Sequence, residues 1–140
     1  MPTVGVFAAV FDDQRRILCV KMGYGPESWT TPGGRLDQPN ESPIDALKRE
    51  AREEANCLIE PKRLIGIYCS PSKDDIVLLM EADLVEQGEW QPNEEITEIG
   101  FFAWKDLPRP MDTLVLQRIQ DAFEGRAGIL RVTDPFLEAG

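Results

Sequence analysis

Histidine is absent from this chain. With it go histidine-based nucleophile activation, histidine metal ligation and the usual general base at neutral pH, so acid–base chemistry falls to carboxylates. Cysteine is scarce. Cys19, Cys57 and Cys69 sit in apolar segments at wide, irregular spacing, which suits small core residues and not a zinc site or a disulfide framework. Basic residues are outnumbered, 15 against 25 acidic ones, for a formal net charge of −10. That balance argues against a dedicated nucleic-acid surface, which needs clustered Lys and Arg. No apolar run approaches a membrane span, and the amino-terminal residues lack a basic region followed by an apolar stretch, so a cytoplasmic protein without membrane anchoring is expected. Repeats and low-complexity linkers are missing too. A chain of 140 residues, 42% of them hydrophobic, is expected to form one domain over residues 1–140, large enough to bury a core without staples.

What the chain does have is a crowded run of acids. Arg49-Glu50-Ala51-Arg52-Glu53-Glu54 follows the turn Trp29-x-x-Pro32-Gly33-Gly34, and on a helix Glu50 lies beside both Glu53 and Glu54. Three like charges on one face repel unless a cation sits among them. Mg²⁺ takes oxygen ligands and commonly bridges a few carboxylates to substrate phosphates, so the ridge is a candidate metal site for phosphate chemistry. A helix from Ser42 to Asn56 is well marked: Ser42 as N-cap, Pro43 at the first position and Asp45 to complete a capping box. Ile44, Ala46, Leu47, Ala51 and Ala55 form its apolar stripe, with Leu58 beyond the helix end. Gly33 and Gly34 let the backbone approach a ligand closely. An exposed helix with ordinary charge pairs would share the Glu-x-x-Glu-Glu pattern; the glycine turn and the cap set this one apart.

From Gly34 to Cys57 the chain resembles the signature of the Nudix hydrolases: a glycine, five residues, a glutamate, seven residues, then Arg-Glu-aliphatic-any-Glu-Glu-any-Gly-aliphatic. Seven residues separate Glu41 from Arg49, and Glu50, Glu53 and Glu54 fall where that family places its catalytic glutamates. Two departures stand out. Six residues, not five, separate Gly34 from Glu41, and Asn56 occupies the glycine position. Asn tolerates the left-handed conformation that ends a helix, and the longer loop from Arg35 to Asn40 is expected to bulge outward, leaving Gly33, Gly34 and Glu41 near the metal.

The resemblance implies an α/β fold: an α/β/α sandwich with a mixed sheet and a loop-helix-loop motif. It implies metal-dependent hydrolysis of the diphosphate linkage of a nucleoside diphosphate derivative, with Mg²⁺ as the cofactor and Mn²⁺ as its substitute. Glu50 and Glu54 are then the principal metal ligands, Glu53 a third ligand or the base, and the Gly33 carbonyl a further ligand. Arg49 holds one of the glutamates, while Glu41 either ligates through water or anchors the loop. Relatives in many cases draw a further glutamate from the region of Glu94, Glu95 and Glu98, and Glu98 is the expected base. Lys21 and Arg35, with Arg63 and Lys73 as further candidates, are available for phosphate oxygens. Tyr24, Trp29, Tyr68 and Phe102 are candidates to stack a base. A non-catalytic nucleotide sensor on the same fold is the alternative, separated from the enzyme by turnover.

The remaining pattern is one of alternating elements. Val4 to Phe11 and Ile17 to Lys21 read as a hairpin, Leu64 to Ser70 and Ile76 to Leu84 as strands joined by a turn, and Phe101 to Trp104 as a short strand. Asp112 to Phe123 reads as a second helix with Val115, Ile119, Ala122 and Phe123 inward and Gly125 as its stop. Residues 126–140 carry little pattern. Ile129, Leu130, Val132 and Phe136 are available to pack on the body or on a second subunit, as in a homodimer.

Overall fold

The structure, a computed structural model, describes residues 1–133. Its strands are β1 (Thr3–Phe11), β2 (Ile17–Met22), β3 (Trp29–Thr30), β4 (Gly33–Arg35), β5 (Cys57–Ser70), β6 (Asp75–Gln87), β7 (Ile96–Phe102) and β8 (Ile129–Val132), and its helices are α1 (Pro43–Ala55) and α2 (Thr113–Phe123). β1 runs parallel to β6 along its whole length and antiparallel to β4 over Gly5–Phe7. It meets β2 only where Phe11 faces Ile17, so the expected hairpin exists but parts at once, and β2 turns to β7 and β3. β5 joins β6 to β8. Mixed strand directions with a helix on each face make this the expected α/β sandwich.

Alternation along β1 explains the two cores. Val6, Ala8 and Val10 point to the side of α1, where they pack with Ala46, Leu47, Ala51 and Ala55. Phe7, Ala9 and Phe11 point the other way, to Ile119 and Ala122 of α2. A strand covered on both faces must be apolar on both, and β1 is. The stripe expected on α1 is correct except at Ile44, which is 44% exposed: it falls in the first turn, before the helix descends onto the sheet. Leu58, at 39%, is exposed as well, because it alternates outward along β5. Cys19 and Cys57 are buried and Cys69 half-buried, all of them free thiols. Burial pushes the Cys19 thiol up to about 12.

Element ends differ from the sequence reading mainly by extension. β5 begins at Cys57, directly after the helix, where the sequence suggests a strand only from Leu64; its register shifts at three points against β6, which blur the alternation. The turn after it is a 3-10 turn, Pro71–Lys73, closed by Asp74 at φ 52°. β8 packs on the body through β5, while Leu130 and Val132 stand 66% and 56% exposed. Phe136 lies outside the described residues. Among those described, no helix is long and apolar enough to cross a membrane.

A buried charge fixes β8 to α2. Asp121 is 2% exposed and receives the Tyr68 hydroxyl at 2.8 Å and two Arg131 nitrogens at 2.7 Å each. Burial raises the Asp121 pKa, but the Arg131 and Tyr68 hydrogen bonds outweigh it and hold the carboxyl below its ordinary value. Removing one partner of such a pair strands the other. Arg131→Met is therefore expected to destabilise the fold by about 2–4 kcal/mol in denaturant melts, and a change below about 0.5 kcal/mol, the usual size for a surface substitution, would show that the network carries no weight.

Candidate active site

The side of α1 that carries the acids faces the Gly33–Gly34 turn. The Gly33 N–H donates to Glu54 Oε1 at 3.0 Å. A Cβ on Gly34 would stand 2.8 Å from Glu50 Oε1, and one on Gly33 would collide with the Val6 carbonyl, so glycine at both positions leaves a cradle in which the two carboxylates fit. The helix is set by its ends. Ser42 Oγ accepts from the Asp45 N–H at 3.1 Å, and Asn56 adopts the left-handed conformation expected of it, φ 49° and ψ 44°. Beyond the last turn, Trp90 Nε1 donates to the Glu54 carbonyl at 2.8 Å and Gln87 Nε2 to that of Ala55 at 2.9 Å, satisfying carbonyls that the helix leaves unpaired.

Arg49 gathers the acids. Its Nε and Nη2 donate to the two oxygens of Glu41 at 2.8 and 3.0 Å, a two-pronged contact, and its Nη1 reaches Glu50 at 3.1 Å and Glu53 at 3.3 Å. The hydrogen bond from Arg49 holds the Glu41 carboxyl below its ordinary value, and Glu41 in turn raises the pKa of Arg49. Asn40, at φ 63°, turns the longer loop so that Glu41 still meets the helix. Among the described residues Glu54 has no such cation. Burial pushes its pKa up to about 8 against the Gly33 hydrogen bond, and the charges of Glu50, Glu95 and Glu53 add to the rise. Glu50 is raised as well, first by burial, with Arg49 opposing and Glu53 and Glu95 reinforcing. Two partly buried carboxylates in a field of like charge form an oxygen-donor set suited to a hard divalent cation that keeps some of its water. Among the described residues no three acids or thiols already converge as a ligand set; Glu53 is exposed and turned to Arg49.

The family model described as NUDIX domain matches residues 1–122. The chain belongs to the Nudix family. It is similar to a protein of Methanocaldococcus jannaschii named ADP-ribose pyrophosphatase, 28% identical over an alignment 116 residues long that covers 77% of this chain and 66% of that one. It is also similar to a MutT-like protein of Streptomyces ambofaciens, 24% identical over 94% of this chain and 84% of the other. Among solved structures, an ADP-ribose pyrophosphatase from Streptococcus suis superposes with a TM-score of 0.79 at 26% identity, covering 94% of this chain and all of that one.

Other expected site residues of this Nudix chain are not all near the ridge. Leu18 and Val20 of β2 face α1, so Lys21 and its partner Glu98 on β7 alternate to the opposite side, with Cys19 and Phe102. Phe102 packs edge-to-face on Trp29 at 5.4 Å, within the core. Neither Glu98, exposed opposite Lys21, nor Phe102 comes to the carboxylates by this geometry. Glu95 is the acid whose charge reaches Glu50 and Glu54. Asn93 Oδ1 accepts from the Glu95 N–H at 2.9 Å and Gly23 donates to the Glu95 carbonyl at 2.8 Å, so the residue is anchored on both sides. Arg35 is exposed at the end of β4, next to Gly34. Tyr24 is 59% exposed in its loop. Arg63 is taken by Glu81 at 3.0 Å.

A cavity of about 370 Å³ opens on the α2 side, lined by Phe7, Met22, Thr30, Tyr68, Ser70 and Arg118 among others, Lys73 included. It adjoins the ridge through the backbone: Phe7 pairs with Gly33, and Met22 precedes the Gly23 that binds Glu95. Arg118 is a residue that the sequence reading missed. Its signal was an arginine within the apolar stripe of Val115, Ile119 and Ala122.

The Glu54 pKa has a consequence for stability. The folded, metal-free protein retains a proton on Glu54 that the unfolded chain releases near 4.5, so the stability this group contributes is complete below that pH and is lost as pH rises through about 8. Glu54→Gln keeps the volume and an oxygen for the Gly33 N–H. In chelator it should exceed wild type by roughly 4 kcal/mol at pH 8 and come close to it near pH 4.5. A wild type as stable as the variant at pH 8 would show that Glu54 is not held in an unfavourable charged state.

Proposed function

We propose that this Nudix protein hydrolyses the diphosphate linkage of a nucleoside diphosphate derivative with the help of a divalent cation, Mg²⁺ ordinarily and Mn²⁺ in its place. The observation that carries this reading is the pair Glu50 and Glu54, partly buried against Gly33–Gly34 with raised pKa values: Glu50 shares Arg49 with Glu41 and Glu53, and Glu54 has no cation among the described residues. The class of enzyme, a pyrophosphohydrolase, is supported by family membership and by relatives named ADP-ribose pyrophosphatase.

When bound, the ion neutralises phosphate oxygens and lowers the pKa of water toward neutrality. The residues divide the remaining work. Glu50 and Glu54, with the Gly33 backbone, hold the ion; Arg49 fixes the direction of Glu50 and Glu53 while its two bonds to Glu41 keep it from swinging away. The proton of the attacking water goes to Glu53 or Glu95, the two acids that stand at the pair without being enclosed with it. Arg35, exposed beside Gly34, is placed to meet a phosphate oxygen.

The proposed compartment is the cytoplasm, on the sequence reading, and the proposed assembly a homodimer along β8, where Leu130 and Val132 are exposed; a monomer in sedimentation at high protein concentration excludes that assembly. Hydrolysis is tested with a panel of nucleotides and nucleotide sugars in Mg²⁺, reading released phosphate and nucleoside monophosphate. Activity should vanish in chelator. Glu50→Gln and Glu54→Gln should each lower kcat by about a hundredfold or more, consistent with the sensitivity of catalysis to displaced groups, and Glu95→Gln should cost more than Glu98→Gln. Full activity in chelator, or unchanged turnover in Glu54→Gln, contradicts the proposal.

A further inference from the structure

Arg118 lies on the buried stripe of α2 and is only 9% exposed, yet among the described residues its Nε has no hydrogen-bond partner. A guanidinium carries five N–H donors in a planar fork and no acceptor, so an enclosed one whose Nε–H is unpaired invites a ligand with acceptors. The acid one turn along the helix, Asp121, is already engaged by Tyr68 and Arg131. The ring of Phe7 meets the guanidinium at 5.1 Å. Arg118 lines the cavity on the α2 side, and so does Ser70, whose Oγ is likewise buried without a partner among the described residues.

The other charges of the cavity narrow the choice of ligand. Asp75, Asp112 and Lys73 also line it, two acids against one further cation, and the charges of the two acids reach Arg118. A bare phosphate would satisfy the guanidinium but face two carboxylates. An apolar group would leave the guanidinium unsatisfied. A flat heterocycle with paired acceptors on one edge and N–H donors on another answers both, and Phe7, Met22 and Val77 supply apolar walls. A volume of about 370 Å³ is within the range of small-molecule sites.

We propose that this cavity binds the base of the substrate nucleotide and that Arg118 selects a 6-oxopurine, its fork donating to O6 and N7 while Asp75 or Asp112 accepts from ring N–H groups. Arginine paired with the O6/N7 edge of guanine is the commonest specific contact between a side chain and a base, and adenine replaces that oxygen with an amino donor. The inference rests on the proposal that the substrate is a nucleoside diphosphate derivative. Base and diphosphate would lie on either side of Gly33, whose strand partner Phe7 lines the cavity and whose N–H holds Glu54.

Calorimetric titration of the chelated protein with GMP, AMP and ribose 5-phosphate tests this without metal or turnover. GMP should bind at least about tenfold more tightly than AMP, ribose 5-phosphate should not bind measurably, and Arg118→Met should abolish the preference. Equal affinity for AMP and GMP, binding of ribose 5-phosphate as tight as that of GMP, or a preference that survives Arg118→Met overturns the proposal. Should that variant fail to fold, the wild-type comparison decides together with Asp75→Asn and Asp112→Asn: at least one is expected to weaken GMP and spare AMP, and neither doing so overturns it. A GMP preference in a protein that hydrolyses no nucleotide would remove the hydrolase reading alone. Equal turnover of GDP-linked and ADP-linked substrates would remove the base selection alone.

Discussion

Negative charge crowded onto one helix turn is the constraint around which the rest of this structure is arranged. Glu50, Glu53 and Glu54 cannot share a surface at neutral pH without compensation. Arg49 supplies part of it, anchored to Glu41 by two hydrogen bonds and reaching Glu50 and Glu53 with its third nitrogen. One guanidinium cannot serve every acid, and Glu54 is the one it does not reach. That carboxyl is instead enclosed against the Gly33 N–H with its pKa raised. A single dipole does not offset a buried charge, so the site is built with a deficit of positive charge in a place lined by oxygen. The same deficit that costs stability in the metal-free chain favours a cation when one is present.

The sheet is what holds this deficit in place. β1 is covered on both faces, by α1 on one side and α2 on the other, and β4 pairs with it over only three residues, enough to fix Gly33 and Gly34 beneath the helix. Because Phe7 and Gly33 are strand partners, a displacement of either would be felt on both sides of the sheet. The cavity with Arg118 and the carboxylates of α1 are therefore neighbours through one β-pair, although one site is reached from each face.

Much of this was legible from the chain. The cap at Ser42, the left-handed Asn56 and the spacing from Glu41 to Arg49 are local features, and the structure displays them at the expected positions. What was hidden depends on pairing between distant segments. In one dimension Glu98 is the expected base, ahead of Glu94 and Glu95. The register of β7 on β2 turns Glu98 toward Lys21, while an Asn93 turn directs attention to Glu95. Arg118 was hidden for a related reason: a helix stripe tolerates one charged residue in sequence, and only the fold shows that Asp121, its natural partner, has been claimed by Arg131. The early start of β5 went unseen because its bulges break the alternation by which strands are read.

The central claim, that Glu50 and Glu54 form a cation site at Gly33–Gly34, is tested most directly by titrating Mn²⁺ into the chelator-treated, desalted protein and following free Mn²⁺ by electron paramagnetic resonance. Wild type should take up the ion, and the double variant Glu50→Gln/Glu54→Gln, folded by circular dichroism, should leave it free in solution. Undiminished Mn²⁺ uptake by the folded double variant would contradict the account, as would a wild type that binds none with or without a nucleotide present.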